Sequence, residues 1–310
     1  MKETFARNRV VITLVLLLLA VGVTRYLYAR SVSAPGIMDA LYNYHVAVSL
    51  FEGKGFTVDY VWNFLQRPTK AAGHFSHGYW PPGMSVLLMV VFYILGPTIE
   101  AGQILMAIFS AGLVAVTFWL GLRLFEDYRV ALYASLFIML NPVVVYHSCA
   151  TDSTVPMALL VNLALIALSY CKSGYFKPYV LAMAAGTICP YLRVDGFILP
   201  LFVLAHYLWF HRKEKVKNWT EIGILLAIWL LPQVPWALRN YMVFGTFWPA
   251  TPLTSALIPS PDDMFKYNIR VSLRTLFGAG FSSLMAMKLD ALWQLVYALV
   301  FKQTIILFVF

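Results

Sequence analysis

Five charged side chains stand out in a chain that carries few charges. Only 12% of the 310 residues are Asp, Glu, Lys or Arg, and 61% are hydrophobic. Asp39 lies in Pro35-Gly36-Ile37-Met38-Asp39-Ala40-Leu41-Tyr42-Asn43-Tyr44, just past the first long apolar run. It falls in the first turn of an expected helix, where the helix dipole favours an acid. One reading is therefore a helix-terminal charge. The other is a base held at the lipid–water boundary, able to take a proton from a hydroxyl. Asp152, in His147-Ser148-Cys149-Ala150-Thr151-Asp152-Ser153, either caps the helix that follows or joins Asp39 as a second acid on the same face. Arg193 and Asp195 sit in Pro190-Tyr191-Leu192-Arg193-Val194-Asp195-Gly196, at a break between two apolar runs. Ionisable groups at such a break line a cavity or hold a charged group, unless these two only pair with each other. Arg239 ends an apolar run in Pro235-Trp236-Ala237-Leu238-Arg239-Asn240-Tyr241. It snorkels to the interface, or its guanidinium fork holds a phosphate. His74 and His77, in Gly73-His74-Phe75-Ser76-His77-Gly78, are three apart and with an Asp such as Asp195 would suit zinc. Two polar loop histidines are the simpler alternative.

The elements that must position these groups are membrane helices. Mean hydropathy is +0.74, and the apolar runs are uninterrupted, roughly 15–25 residues long, with no period-two alternation. The expected fold class is all-α: a polytopic membrane helical bundle forming one module over 1–310. The net charge of +9 lies mostly in short loops between apolar runs, which argues for topology signals and against nucleic acid as a partner. Cys149, Cys171 and Cys189 show no paired spacing and read as small apolar core residues. Ser31-Val32-Ser33-Ala34 offers a signal-peptide cleavage site, but the run over 10–28 is long enough to span and is expected to remain as the first helix.

Charge parity orders the crossings. The basic clusters Lys2/Arg7/Arg9, Arg123/Arg129, Lys172/Lys177 and Arg212/Lys213/Lys215/Lys217 are all cytoplasmic if spans run over 10–28, 100–122, 130–146, 155–170, a broken pair 179–191 and 197–210, and 221–238. This requires that the short run 84–95, behind Pro81-Pro82, does not cross; its length suits an interfacial or re-entrant segment. The outer face then carries a first loop over about 29–83, and with it the candidate site. Ile37, Leu41, Tyr44, Val48 and Phe51 recur at helical spacing as one apolar stripe, predicting a helix on the membrane surface with Asp39, Asn43 and Glu52 off the stripe. Tyr79 and Trp80 read as an interface belt. Asn218-Trp219-Thr220 matches a glycosylation sequon but falls on the expected cytoplasmic side and is set aside. The apolar run 291–310 has no flanking charge or cap, so the chain is expected to continue in a larger protein.

Several stretches together resemble the polyprenyl-phosphate-sugar-dependent glycosyltransferases of the GT-C fold, and within them the protein O-mannosyltransferase and lipid A aminoarabinose transferase group. Asp39-Ala40-Leu41-Tyr42 with Leu50-Phe51-Glu52-Gly53-Lys54-Gly55-Phe56 is similar to that family's first-loop acidic motif and its glycine-rich ending. Tyr79-Trp80-Pro81-Pro82-Gly83 is similar to its Pro-Pro-Gly turn, and Asn141-Pro142 followed by Asp152 to the end of its third span. Trp236 through Gly245, with Arg239-Asn240-Tyr241, is similar to a further motif of the group. The likeness covers roughly 5–250. The family often carries two adjacent acids in the first loop; here Met38 precedes Asp39 and one acid is present, which leaves a divalent metal cofactor open.

The resemblance implies inverting transfer of a sugar from a polyprenyl-phosphate-linked donor to a hydroxyl on a lipid, glycan or protein acceptor. The site would face the periplasm, at the outer face of the cytoplasmic (inner) membrane, with the N-terminus cytoplasmic. Asp39 would accept the hydroxyl proton, Arg193 and Arg239 would meet charge on the leaving phosphate, and Asp152 would orient the acceptor or assist a metal. His74, His77 and Asp195 are possible substrate or metal contacts. A lipid-linked-sugar flippase or another polytopic transporter is the alternative, although transporters place charge near the bilayer midplane and here it gathers at one surface. A non-catalytic assembly subunit is a third reading.

Overall fold

The computed structural model describes residues 2–36, 38–63, 73–172, 175–212 and 218–249, and beyond them 257–258, 263, 265–266, 272–278, 280–298 and 300. Ile37, Lys213, Lys215, Lys217 and the end of the last apolar run lie outside the described residues.

The chain is mostly helical, as expected. α1 (Lys2–Ala29) leads into an outer segment holding α2 (Asp39–Phe51) and a small ribbon of β1 (Thr57–Val58) and β2 (His74–Phe75). α3 (Gly83–Leu95), α4 (Ile99–Phe125), α5 (Tyr128–Leu140), α6 (Pro142–His147) and α7 (Thr154–Leu168) follow. After α8 (Lys177–Leu192) a 3-10 turn, Val194–Phe197, leads into α9 (Ile198–Phe210). The rest is α10 (Trp219–Leu230), α11 (Gln233–Phe244), α12 (Leu273–Gly278) and α13 (Phe281–Tyr297).

Among the described residues two helices are long and apolar enough to cross a membrane, over Asn8–Ala29 and Ile99–Phe125. α10 and α11, bent by 43° at their junction, together pass the same test. The other expected crossings fall in shorter helices. The expected span over 130–146 is broken where Asn141 accepts the amides of Val143 and Val144 and Pro142 opens a new helix. That leaves α5 with 13 residues, short of the ~20 a straight crossing takes. α7 and α9, with 15 and 13 residues, are short in the same way. The break at Arg193 lies where the sequence put it.

α4 organises the packing. Its Val114 and Phe118 meet Leu17 and Val21 of α1 and Ala131 and Met139 of α5. Its Ala101, Leu105 and Met106 meet Leu88 and Phe92 of α3, Ala47 of α2 and Val155 of α7. A third cluster joins α7, α8, α9 and α10 around Tyr179, Met183, Val203 and Leu225. Outward faces stay apolar: Ile12, Leu16, Leu19, Val23 and Leu27 of α1 are exposed, a surface that lipid solvates and water does not.

α2 departs from its expected orientation. Tyr44, Val48 and Phe51 pack on the α3–α4 cluster, while Tyr42 and Val46 are buried on the other side with Val58, beside Phe56, Tyr60 and Trp80. Asn43, expected off the buried face, is 5% exposed. The helix is thus clamped between α3 and the outer loop instead of floating on one stripe. The Asn43 side chain lies beside the Ser85 hydroxyl, with Oδ1 3.4 Å from Oγ.

Candidate active site

Asp39 is placed by a tight chain entry. Met38 takes φ 52 and ψ −108 immediately before it, a conformation that costs a residue with a Cβ free energy. Gly36 has φ +122, and a Cβ there would meet the Ala40 Cβ at 2.6 Å and the Ala150 Cβ at 3.1 Å. Only glycine lets the chain pass. The entry is stitched to the loop after α6: the Thr151 amide donates to the Pro35 carbonyl at 2.8 Å. The fully buried Thr151 hydroxyl lies 3.0 and 2.9 Å from the carbonyls of Pro35 and Ala40. These bonds bring Asp39 and Asp152, far apart in sequence, into one neighbourhood.

Arg193 arrives from the other side. Gly83, at the start of α3, sits so close to the end of α8 that a Cβ would lie 2.5 Å from the Tyr191 carbonyl oxygen. This contact sets the turn carrying Arg193 against the element that packs on α2. Burial pushes the Asp39 carboxyl from its ordinary value of 3.8 up to about 6; the Asp152 charge adds to the rise and the Arg193 charge opposes it. Three groups read from the sequence as one site therefore share one electrostatic field.

Asp152 is held at both oxygens. Oδ1 accepts the Thr154 amide at 2.8 Å, at the start of α7, and Oδ2 pairs with His147 Nδ1. Asp152 thus bonds the first turn of α7, as the capping reading expects, and its charge also reaches Asp39. Arg193 donates through Nε to Asp195 Oδ1 at 3.0 Å, with side chains 43% and 56% exposed. A pair this wet holds little energy and leaves the guanidinium open to a competing anion.

Arg239 is spent on contacts within the protein. Its Nη2 donates to the Ser76 carbonyl at 2.8 Å and its Nη1 to Asn240 Oδ1 at 3.2 Å. The guanidinium lies 4.8, 5.1 and 5.6 Å from the ring centres of Trp236, Phe244 and Phe56. It ties α11 to the outer loop, a strut more than a free phosphate ligand.

The histidines, expected as polar loop residues, are both buried. His77, 2% exposed, receives an edge-on ring contact from Tyr42 and donates its amide to the Tyr42 hydroxyl at 2.6 Å. Its Nδ1 faces the Trp80 carbonyl at 2.9 Å. A carbonyl only accepts, so Nδ1 carries the proton and Nε2 accepts from the Ser85 hydroxyl at 3.1 Å. Burial, with the Arg239 charge assisting, holds this imidazole neutral, its pKa down to about 3 although the Trp80 carbonyl favours the proton. Both ring nitrogens are spent inside the protein. His74 lies in β2 opposite Val58, 9% exposed. Among the described residues no three His, Cys, Asp or Glu side chains gather to hold a metal ion, so His74, His77 and Asp195 form no ligand set.

Beside this cluster is a cavity of about 360 Å³ between the 77–81 turn, the end of α8, the 3-10 turn, α10 and α11. Tyr79, Trp80, Tyr191, Trp229, Trp236 and Trp248 line it, with Gln233 and Asn240 as polar groups. Val194, next to Arg193, is also on its wall. Its size and lining suit an organic ligand with a polar head. Trp80, read from sequence as an interface belt, is part of this wall.

Sequence reasoning missed two residues. His147 is five positions from Asp152, a spacing that no helical or strand period singles out. Arg25, 1% exposed, donates to Ser110 Oγ at 3.2 Å and to the Met139 carbonyl at 2.8 Å. Its one signal was a lone basic residue inside an apolar run, which earns attention in a membrane segment. No protein-family profile, curated protein or solved structure matches this chain.

Proposed function

We propose that this chain is an integral membrane glycosyltransferase of GT-C type, moving a sugar from a polyprenyl-phosphate donor to a hydroxyl acceptor with inversion. The observation that carries the reading is Asp39: a half-buried carboxyl with its pKa raised to about 6, acted on by the charges of Asp152 and Arg193; the turn that carries Arg193 also walls an aromatic-lined cavity at Val194. A general base works best with a pKa near the operating pH, and Asp39 is tuned toward it.

In this reading the isoprenoid tail stays in lipid and the sugar phosphate sits at the outer membrane surface. The acceptor hydroxyl gives its proton to Asp39 as its oxygen attacks the anomeric carbon from the face opposite the phosphate. The bond from that carbon to the phosphate oxygen breaks, and the phosphate leaves with the electron pair. Arg193, released from its exposed pair with Asp195, meets the growing negative charge. The rings of the cavity take the apolar faces of the sugar or the first isoprenoid units. Arg239 holds the cavity wall through the Ser76 carbonyl. The multi-pass topology with α2 outside belongs to the same proposal, supported by the apolar outward faces and the basic loops.

The test compares cell-envelope glycans, lipids and glycoproteins by mass in cells carrying the wild-type gene, the deletion and Asp39→Asn. The deletion loses one sugar modification, and Asp39→Asn loses it equally while accumulating in the membrane as a folded protein. A thousandfold or larger loss of transfer is expected for removal of the base with its positioned charge. Normal modification by Asp39→Asn would refute the reading. A lipid-linked-sugar flippase is the second reading, favoured by the 43° bend between α10 and α11 beside the cavity; movement of labelled lipid-linked sugar across proteoliposomes without any acceptor would establish it.

A further inference from the structure

His147, at the end of α6, has no role in the mechanism above, yet it holds one of the mechanism's two acids. Its Nδ1 pairs with Asp152 Oδ2, and the two side chains are 26% and 14% exposed. Asp152 is otherwise fixed only by the Thr154 amide on its other oxygen, and a carboxylate with a single anchor turns toward water. The ring is itself packed edge-on against Tyr146 at 5.0 Å. The loop between the partners is pinned at its centre, where the Ser148 hydroxyl donates to Ser110 Oγ at 2.9 Å and Thr151 bonds the Asp39 entry. The pair thus flanks a loop that is hydrogen-bonded to the chain entry at Asp39.

We propose that His147 is a positioning residue of this site, holding the Asp152 carboxylate beside Asp39 so that the charge of one sets the proton affinity of the other. The use of this coupling in sugar transfer rests on the transferase reading; the coupling itself does not.

The surroundings leave few other groups to set that affinity. From the loop before α7 comes Asp152, and from the turn after α8 come Arg193 and its partner Asp195. α3, which packs on α2, has no charged residue. Arg25 of α1 is bonded to Ser110 and the Met139 carbonyl. Glu100 of α4 acts on Tyr44, one turn further along α2. Burial is the larger cause of the raised Asp39 pKa, and Asp152 is the like charge that adds to it; how strongly it adds depends on what holds the Asp152 carboxylate.

The experiment reads the protonation of Asp39 without any sugar substrate. Dicyclohexylcarbodiimide attacks protonated, partly buried carboxyls, so the fraction of Asp39 labelled at each pH, measured by peptide mass on the purified full chain, gives its midpoint. Asp152→Asn is expected to lower that midpoint by about half a pH unit or more, as a removed like charge does. His147→Gln, whose amide overlays Nε2 and not Nδ1, lowers it in the same direction, because a released Asp152 swings into water and its field is screened. His147→Asn, whose amide nitrogen overlays Nδ1, restores the wild-type midpoint. In an Asp152→Asn background His147→Gln changes nothing. A midpoint that His147→Gln leaves in place or raises, or a shift that persists without Asp152, overturns the proposal. If His147→Gln does not purify as a folded protein, His147→Ala and the His147→Asn rescue give the same comparison. Loss of transfer in Asp39→Asn with no midpoint shift in the His147 variants would sink this inference alone. The converse pattern would sink the transferase reading and leave the coupling standing.

Discussion

Asp39 sits where two physical tendencies oppose each other. The first turn of a helix stabilises an anion, while partial burial and a neighbouring carboxylate disfavour it. Burial wins, and the carboxyl rises to about 6 with Arg193 only partly offsetting it. If Asp39 is the base of the proposed transfer, the rate falls as the pH drops through about 6, where its carboxyl becomes protonated; a pH–rate profile of the wild type checks this. Stability runs the other way. The folded carboxyl holds its proton more tightly than the unfolded chain does at 3.8. Stability from this residue is thus full below about 4 and is lost as the pH rises through about 6. Asp39→Asn should melt above the wild type at pH 7.5, and the gap should close near pH 4. The candidate residue types were legible in the sequence because acids and arginines are rare in an apolar chain. Their partners were not: that His77 is a buried neutral hub and that Arg239 is a strut depends on what surrounds each ring and guanidinium.

At the scale of elements, α1 carries a charge the sequence left unused. Arg25 bridges α1 to Ser110 of α4 and to the last turn of α5 through the Met139 carbonyl, just before the helix breaks at Asn141. Arg25→Leu removes these bonds and strands the carbonyl, at a cost on the order of 1–3 kcal/mol, so thermal unfolding in detergent should shift down while α1 stays inserted. Gly83 is a second control point. Gly83→Ala must push α3 away from the Tyr191 carbonyl, which a Cβ would approach to 2.5 Å. Transfer is expected to fall at least tenfold with little loss of expression, because misplacing a reacting group by about an ångström costs rate steeply. α2 was legible as a helix from its period. Its orientation was not, since the period reports which residues are apolar and not whether lipid or protein covers them.

For the whole molecule, the site works only if 29–83 and the loop before α7 lie on one side of the membrane. Lys54→Cys, in a background carrying Cys171→Ser, should react with a membrane-impermeant maleimide on intact spheroplasts. Lys172→Cys in the same background should react only after permeabilisation. The opposite pattern would dismantle the site. The sequence by itself determined that the protein is helical, that it is built for lipid, that a helix breaks at Arg193, and which charged side chains are too costly to be incidental; the breaks at Asn141 and between α10 and α11 it did not show. Those properties are local: hydropathy, period, proline and the desolvation cost of charge are read within a few turns of chain. Only the tertiary structure decided that Asp39 feels the charges of Asp152 and Arg193, that Arg239 ties α11 to the outer loop, and that an aromatic cavity opens between the 77–81 turn, α10 and α11. The bonds responsible join residues more than a hundred positions apart, from Pro35 to Thr151 and from Arg25 to Met139. No spacing along the chain encodes such closures, because they follow from how whole helices pack.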